Sequence, residues 1–116
     1  MVLSCIDPRF QHLVHNHLKK KKLIGKYSAF TIAGAAVGVT HDKFKQWHKT
    51  FYDNLGTSIK LHKIEKLIVI NHKDCGAAKI ANGKKEFSPE NEKKIHKESF
   101  SKIKKQIKKK FPKLKV

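Results

Sequence analysis

Leu67-Ile68-Val69-Ile70-Asn71-His72-Lys73-Asp74-Cys75-Gly76 starts as a continuous apolar, largely β-branched run and then turns polar and small. A run apolar on both faces of the pleat belongs to a strand covered on both sides, as in a parallel sheet. The stretch predicts a buried parallel strand over 67–70, a loop over 71–76 and a short helix ending near Asn82-Gly83. Parallel strands are joined by crossovers, usually helical, so the flanking sequence should alternate strand and helix.

It does. Residues 2–6 are a short apolar run, a first buried strand. Asp7-Pro8 then supplies an N-cap and a proline at the first helical position. Phe10, Leu13, Val14, His17 and Leu18 recur at helical spacing, and lysines 19–22 before Gly25 suit a helix C-terminus. Residues 27–33 read as the second strand, and 34–39 as a small, flexible stretch suited to close backbone approach. Thr40 and Asp42 open a long helix. Its stripe of Phe44, Trp47, Phe51, Leu55, Ile59 and His62 keeps its phase through Gly56, and Trp47 and Phe51 belong to a core or an interface. Ser88-Pro89-Glu90 caps a last helix with Ile95, Phe100, Ile103, Ile107 and Phe111 on one face and lysines on the other. This order predicts one α/β domain over 1–116, a parallel sheet core flanked by helices, with 89–116 as a basic C-terminal helix.

A chain of 116 residues has room for one modest core. Its 39% hydrophobic content is enough to exclude disorder throughout. The longest apolar stretch, 29–39, is about half of the ~20 residues that span a bilayer. The first residues have no basic region of the secretory kind. A cytoplasmic protein without a membrane partner is expected. Two cysteines, Cys5 and Cys75, are too few for a small disulfide-built domain, which leaves free thiols, metal ligands or a reactive pair. Lys and Arg number 27 against 9 acids, a net charge of +18 that attracts polyanions. Arginine occurs only at Arg9, however, and few aromatics interrupt the lysine runs at 19–22 and 102–115. Base-reading proteins favour arginine, so nucleic acid is the less favoured partner and solvated helix faces are the plainer reading.

Cys5-Ile6-Asp7-Pro8-Arg9 closes the first strand, and His72-Lys73-Asp74-Cys75 follows the third. Each motif alone is weak: cysteine is most often a small buried hydrophobe, and Asp7 is a good cap. Their positions strengthen them. If strands two and three flank strand one, right-handed crossovers make a topological switch point, and the carboxyl ends of strands one and three become neighbours. Cys5, His72 and Cys75 then converge. Two thiolates and an imidazole suit zinc and leave a fourth position for water, the pattern of a catalytic rather than a structural site.

These paired motifs resemble those of the β-class carbonic anhydrases, and Phe30-Thr31-Ile32-Ala33-Gly34-Ala35 is similar to that family's second strand and glycine turn. The resemblance covers roughly 2–81. It implies a β-carbonic-anhydrase-like fold, Zn2+ held by Cys5, His72 and Cys75, and reversible hydration of carbon dioxide to bicarbonate by a metal-acidified water. It implies a homodimer or larger assembly, with the 29–39 segment among the exposed surfaces. Asp7 is expected to orient the reactive water, or to close the site by binding the metal itself. Arg9 is expected to hold Asp7 off the metal in a nearly desolvated bidentate pair. Two thiolates cancel the charge of the metal, so activity should favour alkaline pH. Gly76 is expected to permit tight packing behind the loop. The chain departs from the family where Thr31-Ile32-Ala33-Gly34-Ala35 replaces Arg-Asn-Ala-Gly-Asn. The family's helical arm and upstream glutamine have no counterpart in these residues. The same scaffold chemistry would serve hydrolysis of carbonyl sulfide or carbon disulfide. In a reading of another class, a basic nucleic-acid-binding protein uses zinc only as a staple. His12, His15 and His17 read as solvated rather than as proton shuttles; His41, His48, His62 and His96 read as structural or exposed. Lys73 and Asp74 match no required position.

Overall fold

The computed structural model describes residues 1–116. Strands β1 (Val2–Ser4), β2 (Ala29–Thr31) and β3 (Ile68–Ile70) form a parallel sheet in the order β2-β1-β3, with Leu3 opposite Phe30 on one side and Val69 on the other. This is an order that right-handed crossovers allow, and it sets the carboxyl ends of β1 and β3 side by side. Helices α1 (Gln11–Lys20), α2 (Ala36–Thr40), α3 (Lys45–His62), α4 (Gly76–Asn82) and α5 (Pro89–Lys110) flank the sheet, completing an α/β fold. None of them is long and apolar enough to cross a membrane.

The local signals work as their chemistry dictates. The Asp7 side chain accepts from the Arg9 backbone N–H, and Pro8 follows it into a short 3-10 turn (Pro8–Phe10) that leads into α1. Helix α3 runs through Gly56 and stops where Lys63 turns left-handed. Ser88 Oγ accepts from Asn91 N–H to cap α5. Leu3, Phe51, Leu55, Leu67, Ile103 and Ile107 form the centre of the core, and Trp47, half-buried at its margin, stacks on Phe44.

The strands are shorter than their apolar runs. The first ends at Ser4, and Ile6 is 56% exposed. Leu67 is buried, but Ile68–Ile70 are only half-buried because β3 is an edge strand, and the chain end bridges only the residues before it, through Leu67 N–H to the Lys115 carbonyl and Lys115 N–H to the Glu65 carbonyl. Residues 34–39 are not flexible. They lead into and form most of α2, which is wholly buried and packs against α3, α4 and α5. The small residues serve close packing: a Cβ at Gly38 would lie 2.1 Å from the Ala33 carbonyl oxygen. Gly38→Ala is therefore expected to destabilise the fold by about 2–3 kcal/mol, at the upper end of overpacking costs, in denaturant unfolding. A loss within 0.5 kcal/mol, roughly the scatter of neutral surface changes, would show that α2 can yield.

Candidate metal centre

The sheet order decides which side chains meet. Cys5 leaves β1 directly after Ser4, His72 follows β3, and Cys75 is the residue before α4. Their ligand atoms, two sulfurs and one ring nitrogen, all lie within 4.8 Å of one another. Both cysteines are buried and free, not joined as a disulfide. Gly34 N–H donates to Cys5 Sγ at 3.3 Å. That approach needs a glycine: φ is +80° at Gly34, and a Cβ there would lie 2.8 Å from the Ala77 Cβ.

The two sulfurs influence each other. The neighbouring Cys75 thiol pulls Cys5 well below the usual thiol range against its burial, helped by the backbone at Asp7 and Gly34. The same neighbour, with burial, pushes Cys75 up. Cys5 is thus the readier of the two to lose its proton, and a cation in the cluster would displace the second. The imidazole is prepared too. His72 Nδ1 lies 2.6 Å from the Lys73 carbonyl, so Nδ1 carries the donated hydrogen and Nε2 the lone pair. That Nε2 is buried without a hydrogen-bond partner, and an orphaned buried acceptor is costly unless something binds it. Another unpartnered ring nitrogen, His48 Nε2, belongs to no such cluster. Phe10 stacks on the His72 ring at 4.1 Å and fixes its plane. Two sulfurs and a presented imidazole nitrogen fit a soft divalent cation.

Asp7 stands beside this cluster, with Oδ2 3.8 Å from His72 Nε2. Arg9 holds it with three donors: backbone N–H at 2.9 Å, Nε at 3.1 Å and Nη2 at 2.7 Å. These bonds pull the Asp7 carboxyl down to about 2. The pair is not desolvated as expected, because Arg9 is 54% exposed. The guanidinium lies across the surface to reach Asp74, donating Nη1 to Oδ2 at 2.8 Å and Nη2 to the carbonyl at 2.9 Å. Asp74, unassigned from sequence, is thus the second anchor of Arg9. The signal available in the sequence was its place one residue before Cys75; in the structure it is left-handed, at φ +55°.

One further expectation changes, and two histidines take their places. Gly76 has open space where a Cβ would stand, so it permits no special packing behind the loop. His17 lines the cavity beside the cluster, whereas His12 and His15 do not. His96, read as structural or exposed, is half-buried in a hydrogen-bonded network with Asn71 and Glu92. Sequence reasoning also missed Gln11, whose Nε2 donates to the Cys5 and Asp7 carbonyls at 2.8 and 2.7 Å and fixes the ligand-bearing backbone. It missed Glu92 as well. Burial alone would raise that carboxyl, but hydrogen bonds from the Cys75 and Asp74 amides and from His96 outweigh it and hold it below its ordinary value. The cavity itself has a volume of about 220 Å³ and is walled by Phe10, Leu13, Val14 and Ile70, with Cys5 and His72 among its lining residues.

A family model described as "Putative carbonic anhydrase" matches residues 1–116. An uncharacterized protein of Rickettsia conorii is 31% identical over 117 residues, covering 100% of this chain and 63% of that protein. An uncharacterized protein of Rickettsia bellii is 32% identical over 117 residues, covering 100% of this chain and 71% of that protein. The chain therefore spans just under two thirds of the length of the first relative. No solved structure matches it.

Proposed function

The chain belongs to this carbonic-anhydrase family, and from that premise we propose that it catalyses zinc-dependent, reversible hydration of carbon dioxide to bicarbonate. One observation carries the reading: three ligand atoms within 4.8 Å of one another, two of their residues lining an apolar cavity. Held by Cys5, His72 and Cys75, zinc would supply a Lewis acid that makes a water molecule acidic enough to react.

The chain's own residues do the rest. Asp7 stays ionised, and its Oδ2, on the His72 side, can accept a hydrogen bond from the reacting water and aim its lone pair. Arg9 keeps that carboxylate in place through geometry a lysine could not reproduce. Phe10, Leu13, Val14 and Ile70 offer apolar surface to a small uncharged substrate and exclude competing water. Bicarbonate, once formed, gains nothing from those walls and leaves toward the basic surface.

The test is zinc content together with carbon dioxide hydration at neutral and alkaline pH, with carbonyl sulfide and carbon disulfide assayed beside it. We expect about one zinc per chain, with turnover on carbon dioxide rising toward alkaline pH. Turnover confined to the sulfur compounds would reassign the substrate. Salt-dependent nucleic-acid binding that survives Asp7→Ala, without hydration in the wild type, would favour a zinc-stapled binding protein.

Self-association is part of this reading. Residues 35–39 are buried and cannot serve it. Of the exposed large apolar side chains, Ile6 and Leu13, 56% and 52% exposed on the segment after Cys5, stand nearest the candidate centre; Ile24, Leu61, Ile80 and Val116 lie elsewhere on the surface. The net charge of +18 opposes association, so dimers should strengthen with salt. Leu13→Asp should leave a monomer in sedimentation. Wild-type monomers across a wide salt and concentration range would remove the proposal.

A further inference from the structure

Helix α5 begins as a lysine-rich surface helix, yet its first turns send a carboxylate inward. Glu92 is 9% exposed and is the one buried acid of the chain. Its two oxygens divide their work. Oε1 accepts from the Asp74 backbone N–H and Oε2 from the Cys75 backbone N–H, each at 2.9 Å. One turn later His96 continues the pattern. Its Nε2 lies 3.3 Å from Glu92 Oε2 and its Nδ1 2.8 Å from Asn71 Nδ2. A single tautomer satisfies both contacts: Nε2–H donates to the carboxylate and Nδ1 accepts from the amide. Asn71 then uses its Oδ1 to accept from Ala36 N–H at 3.1 Å.

This network grips the ligand loop at both ends. Asn71 precedes His72, and Asp74 and Cys75 close the loop, with Asp74 left-handed at φ +55°. The loop's own sequence does little to fix that conformation: Lys73 and Asp74 are exposed, and the side-chain bond within the loop, His72 Nδ1 to the Lys73 carbonyl, stops short of Asp74. We propose that Glu92 is a positioning residue for the metal centre. It clamps the amides of Asp74 and Cys75, and with His96 and Asn71 it makes α5 the platform on which Cys75 and His72 are pre-set to receive the metal. The proposal rests on the reading of Cys5, His72 and Cys75 as metal ligands. It also extends to Arg9, because the clamped Asp74 offers the carbonyl and carboxylate that the guanidinium grips.

Glu92→Gln keeps the shape of the side chain and removes one acceptor, so an amide N–H must face another donor. Three measurements decide. The first is amide hydrogen exchange in the metal-free protein: the Asp74 and Cys75 amides should be protected in the wild type and lose protection in Glu92→Gln. The second is zinc affinity by chelator competition, expected to fall about 10- to 100-fold, as for other groups that orient metal ligands. The third is the spectrum of bound Co2+, whose thiolate bands should shift as Cys75 relaxes. Ser58→Ala, which removes a buried hydroxyl paired with Ser28 away from the site, serves as the control for a general loss of stability. It should lower the melting temperature while leaving zinc affinity unchanged. If Glu92→Gln does not fold, Glu92→Asp keeps the charge one methylene short and should show a smaller fall in both protection and affinity. Wild-type affinity and protection in the glutamate variant would overturn the proposal, as would unprotected amides in the wild type. A wild type that binds no zinc would defeat the metal reading, and amide exchange would still decide whether Glu92 clamps the loop.

Discussion

Cys75→Ala is expected to abolish carbon dioxide hydration and to weaken zinc binding by more than about 100-fold, the upper end of what losing an outer-shell group costs. Cys75 is one of only three side chains whose donor atoms converge, so its loss leaves a cation two protein ligands. It also removes the neighbouring thiol that favours the Cys5 thiolate, so Cys5 should return toward ordinary thiol behaviour and hold its proton more tightly. Two ligands, one of them re-protonated at neutral pH, compete poorly with water. The fold should survive, because a buried cysteine packs as a small hydrophobe and alanine removes only the sulfur. Helical circular dichroism close to wild type, with zinc lost on dialysis, is the expected pair of results. Full zinc content in Cys75→Ala would remove the sulfur from the ligand set and with it the proposed centre.

The centre was legible because its residues sit at strand ends. Three apolar runs and two crossover helices leave few arrangements, and the one with β1 in the middle brings Cys5 and the loop after β3 together. The Asp7 cap and the Ser88 cap are local chemistry, readable within four residues. What the sequence hid is tertiary. Residues 34–39 look flexible because they are small; they are small because α2 lies between other helices with no room for large side chains, and none for a Cβ at Gly38. Glu92 looks like an acid complementing a helix dipole, and only the packing of α5 against α4 turns it inward. A signal was nevertheless present. Glu92, His96, Ser99, Ile103 and Ile107 follow one another at helical spacing, so the apolar stripe of α5 continues toward its N-terminus as a polar one. A polar extension of a buried stripe marks the part of a helix that faces a site rather than a core.

Arg9→Ala should reduce hydration about 100-fold or more while zinc content stays at the wild-type level, the scale on which a positioned acid–base group acts. Asp7 would keep only the Arg9 backbone N–H of its three donors, and Asp74 would lose both of its contacts to the guanidinium. The freed carboxylate, with Oδ2 already 3.8 Å from His72 Nε2, can then turn toward the ligand cluster and take the place meant for water. Stability should change little, because Arg9 is half-exposed and surface ion pairs contribute little. That split between activity and stability distinguishes a residue that places Asp7 from one that holds the fold. Arg9→Lys should restore little, since an ammonium cannot donate in parallel to one carboxylate and reach Asp74 as well. The pH profile supplies an independent check. The folded-state Asp7 value is depressed to about 2, so its share of stability is present above the ordinary carboxyl range and is lost only as pH falls toward that value. Asp7 therefore stays ionised across the neutral and mildly acid range, and any wild-type loss of turnover between about pH 5 and 7 must come from other groups. In Arg9→Ala the carboxyl should rise toward its usual value without entering that window, so restoring alkaline pH should not rescue the variant. Full turnover in Arg9→Ala, or its recovery at high pH, would show that Asp7 needs no partner and that the Asp7–Arg9–Asp74 bridge serves the loop alone.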